Sequence, residues 1–138
     1  MSILTQKTIS KKISFEGVGI HTGIQTKLNI LPAPPNSGIV FKRTDLKNNN
    51  IIYASYANVT DTTLCTTICN EHGAKVSTIE HLMGAFYGTG IDNAFVEINS
   101  EETPILDGSA KLFVKAIQET KLKSSDQPIK IIKINKNI

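Results

Sequence analysis

The chain carries its clearest structural signal in residues 77–99, STIEHLMGAFYGTGIDNAFVEIN. Ser77 and Glu80 form a capping-box pattern, and apolar side chains then recur at the i, i+3, i+4, i+7 spacing of a helix. Gly88 and Gly90 end the predicted helix, because glycine readily adopts the left-handed conformation that closes a helix. A period of two then predicts a strand with one apolar face, formed by Ala94, Val96 and Ile98.

The residues before this helix predict mostly strands and turns. Alternating or β-branched runs predict strands at residues 7–15, 25–31, 39–43, 51–57 and 64–69. A glycine-rich turn, GVGIHTG (Gly17–Gly23), joins the first two, because its glycines allow positive φ angles and close backbone approach. A loop is predicted at residues 32–38, PAPPNSG, because of its prolines, and another at residues 46–50, LKNNN, because they are polar. The first half of the chain is therefore predicted to be mostly sheet.

The residues after the strand predict a second helix and a change of domain. A helix is predicted at residues 109–121, and Asp107 and Ser109 at its start fit a capping role. Residues 123–128 are polar and turn-rich like a linker, and residues 130–138 read as a further strand. We therefore predict a first α+β domain at residues 1–124, followed at residues 125–138 by a linker and the opening strand of a second, otherwise absent domain.

The order of these elements predicts the fold class. Strands come first and helices later, which favours an α+β fold. We expect a two-layer sandwich in which one mostly antiparallel sheet is covered by helices on one face.

Composition limits the classes of function. The 138 residues are 40% hydrophobic and 20% charged, as in an ordinary single domain, and the formal net charge is +3. No clustered basic stripe accompanies that charge, so no nucleic-acid partner is expected. The N-terminus lacks a signal-peptide core and no apolar run could form a transmembrane segment, which predicts a cytoplasmic protein. The two cysteines, Cys65 and Cys69, are too few for a disulfide scaffold and are expected to be reduced.

Glu80 and His81 are the strongest candidates for chemistry, since they are adjacent in the first turn of the predicted helix. A neutral imidazole is a good zinc ligand, and a neighbouring carboxylate can deprotonate a metal-bound water. Both residues also have structural interpretations: Glu80 completes a capping box, and His81 is a partly buried polar residue. His81 shares its helix face with Gly84, Ala85 and Gly88, so a packed neighbour or a substrate comes close to the backbone there.

Two further side chains are chemically suited to a metal. His21 in the glycine turn and Cys65 in TTLCTT could form a His/His/Cys zinc site with His81. Their spacing gives this site no support, and a turn histidine bonded to backbone and a buried thiol are the structural alternatives. The chain contains no phosphate-binding GxxxxGK, no nucleophile elbow and no HExxH motif, which removes those classes of enzyme.

Five segments of the chain are more specific together than any one alone: GVGIHTG, LPAPPNSGIVFKRTDL, DTTLCTT, STIEHLMGAFYGTGIDNAFVEIN and PILDGSA. Together they resemble the bacterial zinc-dependent UDP-3-O-acyl-N-acetylglucosamine deacetylase family. The likeness runs from about Lys7 to the end of the chain, but it covers only the first of that family's two domains and the opening strand of the second. It implies removal of acetate from UDP-3-O-(3-hydroxyacyl)-N-acetylglucosamine, a step toward the lipid A of lipopolysaccharide in Gram-negative bacteria.

The resemblance also implies roles for individual residues. It implies that His81 is a ligand of a Zn²⁺ cofactor and that Glu80 is the general base, matching the EH pair of the family's STVEH-type motif. It implies that Glu80 takes a proton from the water that attacks the acetamide carbonyl. It also implies that Ile20, Leu64 and Cys65 line the approach to the active site.

The same resemblance indicates what this chain lacks. In the family, an HKxxD motif of the second domain supplies the remaining His and Asp ligands, and a second-domain histidine is the general acid. The three histidines here are followed four residues later by Gln25, Val76 and Ala85, never by Asp. We predict that the chain alone binds zinc poorly and is inactive, because a catalytic zinc needs about three protein ligands. Its expected partner is the missing C-terminal domain, in the same or a separate chain; the alternative is a non-catalytic remnant or binding module with the same fold.

Overall fold

The computed structural model describes residues 4–137. Within that range the chain forms ten β-strands, two α-helices and one 3₁₀ helix. They follow in this order: β1 (Thr5–Ile9), β2 (Ile13–Val18), β3 (Gln25–Pro32), β4 (Ile39–Arg43), β5 (Ile51–Tyr53), the 3₁₀ helix (Tyr56–Asn58), β6 (Val59–Asp61), β7 (Thr67–Cys69), β8 (Lys75–Val76), α1 (Glu80–Thr89), β9 (Ala94–Ile98), α2 (Lys111–Thr120) and β10 (Leu122–Pro128).

The main sheet has five strands in the order β2-β3-β9-β4-β5. Neighbouring strands are antiparallel except for β4 and β9, which are parallel. Leu28 on β3 pairs directly with Ile98 on β9, so the two side chains lie on the same face. Leu28 and Ile30 on that face are buried, whereas Gln25 and Lys27 on the other face are exposed. Alternation in the sequence therefore gives the sheet one covered and one open face.

Both helices pack on the covered face and close the hydrophobic core. The core joins side chains of the sheet to side chains of α1 and α2: Leu28, Ile30, Val96, Ile98, Leu82, Phe86, Phe113 and Ile117. Phe15 of β2 meets Phe113 of α2 edge to face, with ring centroids 4.8 Å apart. Burying one such side chain contributes about 1.5–3 kcal/mol to folding. The predicted α+β sandwich, with one mostly antiparallel sheet covered by helices on one face, is confirmed.

Two smaller sheets accompany the main one. Strands β6, β7 and β8 form an antiparallel sheet, and β1 pairs antiparallel with β10. Buried Arg43 at the end of β4 ties the first of these sheets to the main one, because its Nη1 donates to the Lys75 carbonyl on β8 across 2.7 Å. The guanidinium also pairs with Asp45 at 2.6 Å. This contact fixes β8, which leads directly into the segment before α1.

The glycine-rich turn joins β2 to β3 as predicted. The Gly19 amide donates to the Ile24 carbonyl, and the Gly23 amide donates to the Gly19 carbonyl. Gly23 has a φ of 66°, a conformation that glycine adopts without penalty. The predicted strands at residues 25–31, 39–43 and 94–98 are confirmed as well.

The single strand predicted at residues 7–15 is wrong. The polar, exposed residues 10–12 interrupt it, so that β1 pairs with β10 and β2 pairs with β3. Turning the chain there lets Ile9 and Ile13, on either side of the break, both reach the core.

The C-terminal segment also differs from its prediction. The linker predicted at residues 123–128 is wrong, because these residues belong to β10, with Leu122 opposite Ile9 of β1. An exposed edge strand carries mostly polar side chains, so its composition resembles that of a linker. The strand predicted at residues 130–138 is not present over residues 130–137, and Ile138 lies outside the described residues. The division into domains at residues 1–124 and 125–138 stays a prediction.

Two predicted strands in the middle of the chain are shorter than expected. The one at residues 51–57 ends at Tyr53 and is followed by the 3₁₀ helix. The one at residues 64–69 begins only at Thr67, so Leu64 and Cys65 lie in a bend. Asp61 explains the bend, because its side chain accepts a hydrogen bond from the Thr63 amide and turns the chain there.

The helices are shorter at their starts than predicted. Helix α2 begins at Lys111 rather than at residue 109, and Ala110 at its N-cap offers no side-chain hydrogen bond. Asp107 and Ser109 instead order the turn before it, since Asp107 accepts from Ser109 and the Ser109 hydroxyl accepts from the Lys111 amide. Within residues 4–137, neither helix has the length and apolar character needed to cross a bilayer.

Candidate active site

The start of α1 carries both of the strongest candidates, since Glu80 is its first residue and His81 its second. The capping box predicted for Ser77 and Glu80 is wrong. The Ser77 hydroxyl donates to the Glu101 carbonyl, and Ile79 at the N-cap offers no side-chain hydrogen bond. The carboxylate of Glu80 therefore has no capping role in its own helix, although its negative charge suits the helix N-terminus.

Glu80 is bonded to the segment that precedes β7. The Thr66 amide donates to Glu80 Oε2 across 2.9 Å, and the Thr66 carbonyl accepts from the Ile79 amide. The side chain is half-buried, and within residues 4–137 its Oε1 accepts no hydrogen bond. One oxygen of the carboxylate is therefore held in place while the other is free for a water or a substrate.

His81 presents an imidazole that is not bonded to the rest of the described chain. It is half-buried, and no side chain or carbonyl of residues 4–137 hydrogen-bonds its ring. The helix face beside it is open, because a Cβ placed on Gly84 or Gly88 would meet nothing within 4 Å. A ring nitrogen of His81 is therefore available to a metal or a ligand.

The three residues expected to line the approach occupy exposed turns. Leu64 and Cys65 lie in the bend that is tied to Glu80 through Thr66. Leu64 is 80% exposed, and Cys65 is half-buried with its Sγ 3.7 Å from Thr67 Oγ1. Ile20 lies in the glycine turn and is 59% exposed.

Glu102 joins the glycine turn to the segment before α1, although it is not among the residues predicted from the sequence. Its buried carboxylate accepts hydrogen bonds from the amides of His21 and Thr22 and from the hydroxyls of Thr22 and Thr78. Burial raises the pKa of Glu102, but these hydrogen bonds lower it by more, so the pKa lies below its ordinary value. The donors are 24 to 81 residues away in the chain, so no local sequence pattern marks this residue.

The candidate metal ligands do not form a complete site. Among residues 4–137, no group of three His, Cys, Asp or Glu side chains could hold a metal ion. The described residues therefore do not bring His21, Cys65 and His81 together as the metal site considered from the sequence. By themselves, these residues do not supply a three-ligand metal site.

Known proteins resemble the chain along almost all of its length. Residues 6–138 match the family described as UDP-3-O-acyl N-acetylglycosamine deacetylase. Two curated relatives, both named UDP-3-O-acyl-N-acetylglucosamine deacetylase, come from Shewanella baltica strain OS155 (44% identical) and Shewanella denitrificans strain OS217 (46% identical). Each match covers 136 residues and 99% of this chain. The chain spans only 44% of the length of each of these relatives.

Proposed function

The chain belongs to the UDP-3-O-acyl N-acetylglycosamine deacetylase family, and from that membership we propose that it is the N-terminal part of a zinc-dependent amide hydrolase. The substrate proposed is UDP-3-O-(3-hydroxyacyl)-N-acetylglucosamine, from which the enzyme removes acetate during lipid A biosynthesis. The setting proposed is the cytoplasm of a Gram-negative bacterium. The observation that carries the proposal is the pair Glu80 and His81 at the start of α1, with one carboxylate oxygen held and the imidazole free.

Glu80 is proposed as the general base. The bond from the Thr66 amide holds Oε2, so Oε1 is the oxygen in position to take a proton from an attacking water. This hydrogen bond restricts the rotation of the carboxylate. Positioning of this kind lowers the entropy cost of the proton transfer.

His81 is proposed as one protein ligand of the zinc ion. A bound zinc ion supplies a Lewis acid that polarises a carbonyl and acidifies water. His81 holds one side of that site, next to Glu80, and its open helix face leaves room for a second domain or a substrate. The remaining His and Asp ligands, and the general acid, are proposed to come from the C-terminal domain that the relatives' greater length accommodates.

Ile20, Leu64 and Cys65 are proposed to line the approach of the acyl chain. Ile20 and Leu64 are large apolar residues with exposed side chains. An acyl chain that lies against them would bury apolar surface. Their two turns are linked to the start of α1 through Glu102 and Thr66. We also propose that the residues after β10 lead into the second domain, so that the first domain includes β10.

Complementation tests this function. The 138-residue chain would be mixed, with zinc, with the C-terminal part of the Shewanella denitrificans relative that lies beyond the matched residues. Acetate release from UDP-3-O-acyl-N-acetylglucosamine is then measured. We expect neither part alone to be active, and we expect the mixture to be active until a chelator is added, because only the mixture holds about three zinc ligands.

Two variants and one reference part serve as controls. His81→Ala should abolish the activity of the mixture, whereas His72→Ala, which changes a half-exposed histidine paired with Glu71, should leave it unchanged. The reference is the N-terminal part of the relative mixed with the same C-terminal part. Activity of this reference pair would show that such halves can assemble. If that reference pair is active and this chain is not, the deacetylase proposal is wrong and the non-catalytic module is favoured.

A further inference from the structure

Glu102 is a fully buried carboxylate whose partners are hydrogen-bond donors rather than cations. Its side chain is 0% exposed, and within residues 4–137 no Lys or Arg forms an ion pair with it. A buried charge is unfavourable unless it is paired or fully hydrogen-bonded. The donors around Glu102 therefore have to stay in place for as long as the carboxylate is ionised.

The donors belong to two separate segments of the chain. From the glycine turn, Thr22 donates to Oε2 through its amide and its hydroxyl, each at 2.8 Å, and the His21 amide donates to Oε1 at 3.0 Å. From the segment before α1, the Thr78 hydroxyl donates to Oε1 at 2.9 Å. One carboxylate therefore joins the side of the glycine turn to the segment before α1, and backbone hydrogen bonds that join Ser77 and Val18 to residues 101–105 hold both segments beside it.

The glycine turn fits closely around this carboxylate. A Cβ on Gly19 would overlap Glu102 Oε2 and Thr22 Oγ1, so glycine is needed there for the close approach. A Cβ on Gly17 would lie 3.1 Å from Pro104 Cβ, so the turn also packs on the residues that follow Glu102. The turn is therefore shaped to the segment that carries Glu102.

The segment before α1 is held in an unusual conformation by the same residues. Thr78 has a φ of 57°, which is unfavourable for a β-branched side chain and persists only where surrounding contacts hold it. Its hydroxyl donates to Glu102, and its carbonyl accepts from the Thr103 hydroxyl. Thr78 is two residues before Glu80, so its conformation sets the direction in which α1 begins.

We propose that Glu102 is a positioning residue whose carboxylate couples the glycine turn, which carries Ile20, to the start of α1, which carries Glu80 and His81. The coupling holds the apolar lining and the reacting groups at a fixed separation. It does not require Glu102 to touch the substrate or the metal. Its meaning for catalysis rests on the proposed function, whereas the coupling itself is a property of the described chain.

Amide hydrogen exchange in the 138-residue chain, without metal or substrate, tests the coupling. Thr78→Val removes only the donor from the α1 side. We expect it to accelerate exchange of the distant His21 and Thr22 amides by about tenfold, because the carboxylate loses one of its fixed contacts. The Val96 amide in β9 serves as the reference for global stability and should not change.

Two further variants complete a double-mutant cycle. Glu102→Gln should accelerate the His21 and Thr22 amides as well, because one of the two accepting oxygens is replaced by an NH₂ donor, and Thr78→Val should add less in that background than it does alone. The matched control is Glu101→Gln, since Glu101 is the neighbouring carboxylate, half-exposed, with its Oε2 3.5 Å from Lys75 Nζ. It should leave the turn amides unchanged. Should Glu102→Gln fail to fold, the Thr78→Val result alone decides.

The coupling is overturned if Thr78→Val leaves the turn amides unchanged, or if the variants accelerate Val96 as much as His21. The second result would mean that Glu102 supports only global stability. In the complemented enzyme, Thr22→Val and Thr78→Val should each raise KM and lower kcat several-fold, because loosening either side of the carboxylate disturbs both segments. A variant that changed only KM or only kcat would contradict the coupling. If complementation fails but the hydrogen-exchange result is as expected, the proposed function is contradicted and the coupling is not.

Discussion

The amide of Thr66 and the carboxylate of Glu80 are joined by a hydrogen bond of 2.9 Å between N and Oε2. This bond connects the bend that carries Leu64 and Cys65 to the first residue of α1. The residues proposed to line the acyl approach and the residue proposed to transfer the proton therefore share one support. A movement of the bend would move the base with it.

Replacing Glu80 by Gln should remove proton transfer and keep this support. A Gln side-chain oxygen can still accept from the Thr66 amide, but the amide cannot take a proton at neutral pH. In the complemented enzyme we expect the initial rate of acetate release to fall by about 10²–10⁴-fold. Zinc affinity, measured by calorimetry, should change little. A loss of less than about tenfold would mean that another group is the base.

Replacing Phe113 by Ala should strongly destabilise the fold. Phe113 is 1% exposed and packs edge to face on Phe15, so its removal leaves a cavity between α2 and the sheet. We expect the free energy of unfolding, from chemical denaturation, to fall by about 3–5 kcal/mol. The neighbouring Leu112 is 39% exposed, and Leu112→Ala should have a clearly smaller effect. Equal losses in the two variants would contradict the packing described for α2.

The ion pair of Arg43 and Asp45 should make stability depend on acidic pH. Hydrogen bonds from Arg43 hold the pKa of Asp45 below its ordinary value of 3.8. Because the folded pKa is the lower one, ionised Asp45 stabilises the fold above the unfolded value, and the contribution is lost as pH falls through the folded pKa. Asp45→Asn should therefore be less stable than the parent chain at neutral pH, and the difference should shrink in acid.

Denaturation at a series of pH values measures this difference. The control is Glu119→Gln, which breaks an exposed pair with Lys115 at 3.9 Å and should have little effect on stability at any pH. A difference between Asp45→Asn and the parent chain that stays constant down to strongly acidic pH would show that the charge on Asp45 does not contribute.

Truncation should distinguish β10 from the residues after it. A chain ending at Pro128 keeps β10 and its pairing with β1, and should melt within a few degrees of the full chain. A chain ending at Thr120 uncovers Ile9, which is 0% exposed, and leaves β1 as an unpaired edge. We expect its Tm, followed by circular dichroism, to fall by at least about 5 °C, and we expect it to aggregate. Equal melting of the two truncated chains would argue that β10 adds nothing to the fold.

Local periodicity predicted the elements that build the core. The alternation at residues 25–31 and 94–98 and the helical spacing that follows Ile79 identify β3, β9 and α1, because burial on one face is reflected in the spacing of apolar residues. The errors concern contacts between distant residues. Ser77 bonds to Glu101 rather than capping α1, and β10 is a strand only because β1 is there to pair with it.

The candidate site likewise contains residues that the sequence could predict and residues that it could not. Glu80 and His81 are adjacent in the sequence, so their shared position could be predicted from it. Cys65 was expected in a strand and lies in a bend, since the turn at Asp61 depends on one side chain. Glu102 could not be found by spacing, because its donors come from two segments that only the folded chain brings together.

The pairing of β1 with β10 places Thr5 opposite Pro128, so the chain enters and leaves this unit at the same edge. A short peptide linker could therefore join these two positions without stretching either strand. New termini opened in the exposed loop between Lys47 and Asn48 would leave all of the strand pairings of the described residues uncut. A circular permutant of this kind is expected to fold, and in it α1 would precede β1 to β4 along the chain.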